Sequence, residues 1–119
     1  MFEPQVKAFS SVVICKLGSN VSLHCQGINA FDNGQSFFYW MFKGESSAQN
    51  PRWFTSLDYN RTVIEDPPVV NFSLLIVNVS HVDIGIYTCF VELLHGVSYN
   101  ASMHLRLANL GKLWNALFK

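Results

Sequence analysis

Charge is scarce in this chain. Only 13% of its 119 residues are charged, and eight Lys and Arg are balanced by eight Asp and Glu. With no basic stripe and no acidic tail, the composition carries no electrostatic footprint for nucleic acid and names no oppositely charged partner. No apolar run reaches the roughly eighteen residues of a membrane-crossing helix, and the opening MFEPQVKAF lacks the charged-then-apolar order of a secretory leader. Catalytic patterns are missing as well. His24, His81, His95 and His104 fall in different strands and turns without metal-ligand spacing, no G-x-S-x-G elbow occurs, and no glycine-rich phosphate cradle follows a strand. The chain is therefore expected to be no enzyme and to need no cofactor or metal, which leaves recognition as the class of function to consider.

What the chain does have is apolar alternation. Half of its residues are hydrophobic, enough for one domain of this length to bury a core. In NVSLHC the residues Val21, Leu23 and Cys25 share one face, and in IYTCFV so do Tyr87, Cys89 and Val91. Two inward cysteines on separate strands can meet across a sandwich. Between them FFYWMF turns Phe38, Trp40 and Phe42 to one side, where a large aromatic would fill the space beside an inter-sheet disulfide.

The order Cys25, Trp40 and then Asp83-x-Gly85-x-Tyr87-x-Cys89 resembles the immunoglobulin superfamily, and its longer V-set branch in particular, over about residues 10 to 108. NFSLLIVNV strengthens the likeness, since Phe72, Leu74, Ile76 and Val79 fall where the E strand of such domains faces inward. The resemblance implies an all-β, two-sheet sandwich with Greek-key topology and one inter-sheet disulfide, Cys25 to Cys89. It also implies that Arg61 pairs with Asp83, that Gly85 allows a tight approach or a positive φ, and that Tyr87 makes the tyrosine corner. Cys15 is left over. It reads either as a buried thiol or as a cysteine bonded to another chain or a membrane segment.

In the family's lettering, strands are expected at 3–8 (A), 11–15 (A′), 19–26 (B), 36–43 (C), 51–57 (C′), 61–65 (D), 71–77 (E), 85–93 (F) and 99–107 (G). The domain is expected to span residues 1–108. Residues 109–119 carry Leu110, Leu113, Trp114, Leu117 and Phe118 at helical spacing, a short amphipathic tail that could dock on a partner, lie at a membrane surface, pack back on the domain or remain frayed. SYNASMHLRL lacks the Phe-Gly-x-Gly bulge of rearranged antigen receptors, which points to a surface receptor, a ligand or a viral copy of one.

If Trp40 is inward, Phe37, Tyr39 and Met41 point out; if Cys89 is inward, so do Thr88, Phe90 and Glu92. An outer face of Phe37, Tyr39, Met41 and Phe90, extended by Trp53, is too apolar for a solvated surface. The tail or a second copy could cover it, or a receptor could use it. Weaker likenesses, to integrin-associated protein on the one hand and to costimulatory ligands and nectin-binding receptors on the other, imply a GFCC′ face that binds another immunoglobulin-like protein. The first also implies Cys15 as a tether and Glu92, Leu93 and the loop to Gly96, His95 included, as contacts, although Leu94 and His95 replace that family's charged loop residues.

Five Asn-x-Ser/Thr motifs, at Asn20, Asn60, Asn71, Asn78 and Asn100, mark either glycosylation sites of a surface or secreted chain or Ser/Thr-rich loops. Glycans at Asn20, Asn71 and Asn78 would shield the sheet opposite the aromatic face. Only Asn100 would crowd that face. The expected function is immune recognition at the cell surface or in a secreted form, with homophilic adhesion or mimicry of a host ligand by a virus as the alternatives, and with any signal or anchor outside this sequence.

Overall fold

The computed structural model describes residues 4–29, 37–45, 51–55, 59–62, 69–93 and 96–108, with the backbone alone at 55 and 59–62. Nine strands are described: β1 Gln5–Ala8, β2 Val12–Cys15, β3 Val21–Ile28, β4 Phe37–Gly44, β5 Arg52–Thr55, β6 Tyr59–Thr62, β7 Val69–Ile76, β8 Gly85–Glu92 and β9 Ser98–Leu107. They form a four-stranded sheet in the order β1-β3-β7-β6 and a five-stranded sheet in the order β2-β9-β8-β4-β5. These correspond to ABED and A′GFCC′. Pairing is antiparallel except between β2 and β9, where Val12 to Cys15 run parallel to His104 to Leu107. β2 thus leaves the sheet of β1 and closes the edge of the other.

Alternation explains why these segments are strands. The burial of β3 repeats strictly, with Val21, Leu23, Cys25 and Gly27 in and Ser22 and His24 out. Phe38, Trp40 and Phe42 alternate in the same way on β4. Two differences from the expected boundaries have local causes. β7 starts at Val69, directly after Pro67-Pro68, because Val69 and Val70 find partners in Thr62 and Arg61. β6 consequently lies at 59–62 rather than 61–65.

The two inner faces meet around Cys25–Cys89, whose Cα atoms lie 6.6 Å apart. Trp40 is fully buried, pairs in register with Cys89 and meets Phe72 edge-on with ring centroids 5.8 Å apart. Leu23, Val70, Val91, Met103 and Leu105 complete the centre of the core, and Leu74 and Ile76 pack partly against it as the alternation of NFSLLIVNV predicts.

Gly85 opens β8 opposite Gly44. A Cβ there would run into the carbonyl oxygen of Lys43 and come within 3.0 Å of both the Gly44 Cα and the Phe42 ring. Of the two reasons expected for this glycine, the backbone shows both: the close approach of two strands and a φ of 155°. Gly85→Ala should cost about 2–3 kcal/mol, read as a lower urea midpoint with an unchanged slope. A loss under about 0.5 kcal/mol would mean that the strands separate easily at this point.

Candidate functional site

The Asp-x-Gly-x-Tyr-x-Cys segment builds the floor of the sandwich. A single 3₁₀ turn, His81–Asp83, precedes β8. The Asp83 carboxylate caps it by accepting the Ser80 backbone N–H at 2.8 Å and the Ser80 hydroxyl at 3.3 Å. The Tyr87 hydroxyl donates to the Asp83 carbonyl at 2.6 Å, the expected tyrosine corner. Burial first, and the charge of Asp83 second, push the Tyr87 phenol well above its ordinary range.

Among the described side chains the cation at Asp83 is Arg52, where the resemblance implied Arg61. Arg52 Nη2 stands 3.7 Å from the carboxylate, with its guanidinium 4.7 Å above the Phe42 ring. Register supplies the reason for this correction. Arg61 pairs with Val70 at the start of β7, about 20 Å along the strand from the end that leads to Asp83. Arg52 pairs with Phe42, beside the Asp83 turn. The signal was present in the sequence, because Trp53 outward on β5 sends Arg52 and Phe54 inward.

The outer face of the five-stranded sheet carries the aromatic residues. Tyr39 pairs with Phe90 across β4 and β8, and their rings stack 5.0 Å apart and 9° from parallel. Trp53 on β5 stands 5.8 Å from each of them. Phe37 is 65% exposed and Trp53 60%, while Tyr39, Met41 and Phe90 are half-buried within the row. Met41 sits in register between Thr88 and Trp53. Glu92 pairs with Phe37 at the upper edge; burial first, and the Glu92 charge second, raise the pKa of the Tyr39 phenol. Thr88 points to the same face but is covered, with its hydroxyl 2.9 Å from that of Ser102.

One expected contact, Leu93, falls elsewhere. Leu93 continues the inward parity of Cys89 and Val91 and packs partly against the core, while its N–H donates to Val97 O at 2.8 Å. It is therefore no member of the outer cluster. His95 lies outside the described residues, as do residues 109–119.

The structure adds residues to the face. Val12 and Ile14 on β2, 43% and 66% exposed, and Ile86 on β8 extend apolar surface toward the β2 edge. Alternation marks Val12 and Ile14 as one side of a strand, but only the parallel pairing with His104 and Arg106 says which sheet they face from.

Cys15 points the other way, into the core, and its thiol is free among the described residues. Burial first, and the charge of Asp83 second, raise its pKa. An open pocket of about 330 Å³, lined by Cys15, Lys16, Leu17, Leu107 and Ala108, adjoins it. With little thiolate and little access, Cys15 in the native chain should react with iodoacetamide at about pH 8 more than tenfold slower than in denaturant, as followed by intact mass. Equal rates would show that the β2 edge opens freely.

The glycosylation motifs divide between the sheets. The Asn20 side chain accepts the Asn78 backbone N–H at 3.0 Å, so both stand at one end of the β3–β7 pair. Asn71 is half-buried and accepts from Gln26 Nε2 at 3.1 Å, with Asn60 opposite it in backbone register. Asn100 is exposed on β9 beside Phe90. Among the described residues no three His, Cys, Asp or Glu side chains gather as a metal site.

Comparison with known proteins agrees with this geometry. The immunoglobulin V-set domain model matches residues 9–108. No curated protein matches the chain. A solved structure described as "Crystal structure of Dpr2 Ig1-Ig2 in complex with DIP-Theta Ig1-Ig3" is similar with a TM-score of 0.63 and 21% identity, covering 90% of this chain and 33% of that one. The chain thus spans about a third of that structure's length, and at this identity the likeness is one of fold. Domains of this family are typically extracellular recognition modules and not enzymes. With its two sheets, its Cys25–Cys89 bridge, its tyrosine corner and a family match over most of its length, the chain belongs to the immunoglobulin V-set domains.

Proposed function

We propose that this chain is a cell-surface or secreted recognition domain, acting in immune regulation, that binds another immunoglobulin-like protein through the outer face of β4, β5 and β8. The observation that carries the reading is the Tyr39–Phe90 stack with Trp53 beside it, flanked by exposed Phe37. Aromatic anchors on a flat, weakly charged surface are what protein interfaces concentrate at their centres. The similar solved structure is itself titled as a complex between immunoglobulin-domain proteins, which supports a partner of the same class. Glu92 at the edge of the row supplies a charge for registering that partner.

A panel of immunoglobulin-family ectodomains displayed on cells tests the proposal. The secreted chain should bind at least one member, and the Trp53→Asp variant should not. Native mass spectrometry of the same sample across a dilution series addresses self-adhesion. A dimer that dissociates on dilution and is lost in Trp53→Asp, with no binder in the panel, would replace the proposal by homophilic adhesion.

A further inference from the structure

We propose that Asn100 carries an N-linked glycan whose first sugar packs on Phe90, closing the β9 side of the aromatic row and confining a partner to the side of β4 and β5. The inference rests on the extracellular reading above, because the sugar donor is met only on the secretory route. Four of the five motifs belong to the four-stranded sheet or its ends: Asn60 is in β6, Asn71 in β7, Asn20 immediately precedes β3, and Asn78 closely follows β7. Asn100 alone lies on the aromatic sheet, in the motif Asn100-Ala101-Ser102. It pairs in register with Phe90, and it is exposed between strand neighbours that alternate inward. Directly opposed residues on adjacent antiparallel strands have their Cβ atoms about 5 Å apart, within the span of an asparagine side chain and one sugar ring.

Phe90 needs a cover that β9 does not supply. On one side its ring is stacked by Tyr39. On the other, the outward residues of β9 nearest the ring are Ser98, Asn100 and Ser102, all short and polar, and the Ser102 hydroxyl is engaged with Thr88, while the larger outward His104 and Arg106 stand further along the strand, opposite Ile86 and beside Ile14. The floor beside the ring is therefore low and uncharged, and an uncharged sugar face, rich in C–H, fits against an aromatic one. Transfer forms the bond between Asn100 Nδ2 and the anomeric carbon of a lipid-linked oligosaccharyl pyrophosphate. It breaks the anomeric C–O bond, releases the lipid pyrophosphate with the amide proton, and oxidises nothing.

The chain should be secreted from mammalian cells that make only high-mannose glycans, and its glycans released enzymatically in heavy-oxygen water, which marks every asparagine that carried one. Asn100 is expected to be marked in most molecules. In a parallel sample the glycans are trimmed to the single N-acetylglucosamine, with its acetyl methyl isotope-labelled. One methyl signal, absent from Asn100→Gln, should be shifted upfield by the Phe90 ring and return to its free position in Phe90→Leu, a variant that keeps the bulk at this half-buried site. If Asn20 or Asn78 is marked and Asn100 is not, the inference fails and the extracellular reading stands. If no asparagine is marked, both fail. A marked Asn100 with an unshifted methyl in the wild-type chain overturns the packing.

Discussion

Trp53→Asp should weaken binding to the partner by roughly 30- to 1000-fold, the effect of losing a central anchor worth about 2–4 kcal/mol, while thermal stability stays near the wild-type value. The separation of the two effects follows from exposure. Trp53 is 60% exposed and contacts Tyr39 and Phe90 only from outside the core, and substitutions at such sites typically change stability by about 0.5 kcal/mol or less. Phe37→Asp should behave alike, since that ring is equally exposed and faces Glu92 across the strand pair. Tyr39 makes a poorer probe because it is half-buried in a stack, so its removal would disturb Phe90 and Trp53 together. Leu75→Asp, at 61% exposure on the opposite sheet, is the matched control and should leave binding unchanged. Surface plasmon resonance on the four proteins, with circular dichroism melts of each, checks the pattern. Undiminished binding by both Trp53→Asp and Phe37→Asp would move the interface off this face.

Removing the Cys25–Cys89 bridge should lower stability by about 4 kcal/mol, since it closes a loop with a sequence separation of 64. For a domain of this size that is roughly 15 °C in thermal midpoint, a large part of the 5–15 kcal/mol that single domains possess. Both sulfurs are fully buried, and Trp40 lies in register with Cys89, so the loss also opens space beside the largest side chain of the core. A Cys25→Ala, Cys89→Val pair avoids leaving reactive thiols and should reproduce the effect without reductant. Calorimetry decides it. A fall of less than about 5 °C would mean that packing around Trp40, rather than the cross-link, carries the sandwich.

The two effects have different origins in the chain, and so had different legibility. The core could be read from NVSLHC, FFYWMF and IYTCFV because alternation is a local property: once one residue of a strand is known to face inward, its neighbours follow. The same logic brought out Phe37, Tyr39, Met41 and Phe90, although not that Tyr39 and Phe90 stack while Phe37 stands free. Leu93 was expected as a contact from a family likeness, whereas the parity of Cys89 and Val91, carried one residue past the end of β8, turns it toward the core. Arg61 was misplaced for a different reason. A family position does not specify pairing register, and the register of β6 on β7 carries Arg61 away from Asp83.

The sequence by itself determined the parity of most central strand residues, which depends on side-chain period, and its Cys25, Trp40 and Asp83-x-Gly85-x-Tyr87-x-Cys89 order carried the resemblance that implied the fold class, the bridge and the tyrosine corner. Only the tertiary structure decided that Arg52 reaches Asp83, that β2 joins β9 and turns Cys15 into the core, and that Asn100 stands beside Phe90. Each of those depends on which strand lies next to which and in what register. That is set by packing between residues far apart in the chain, and local period carries no record of it.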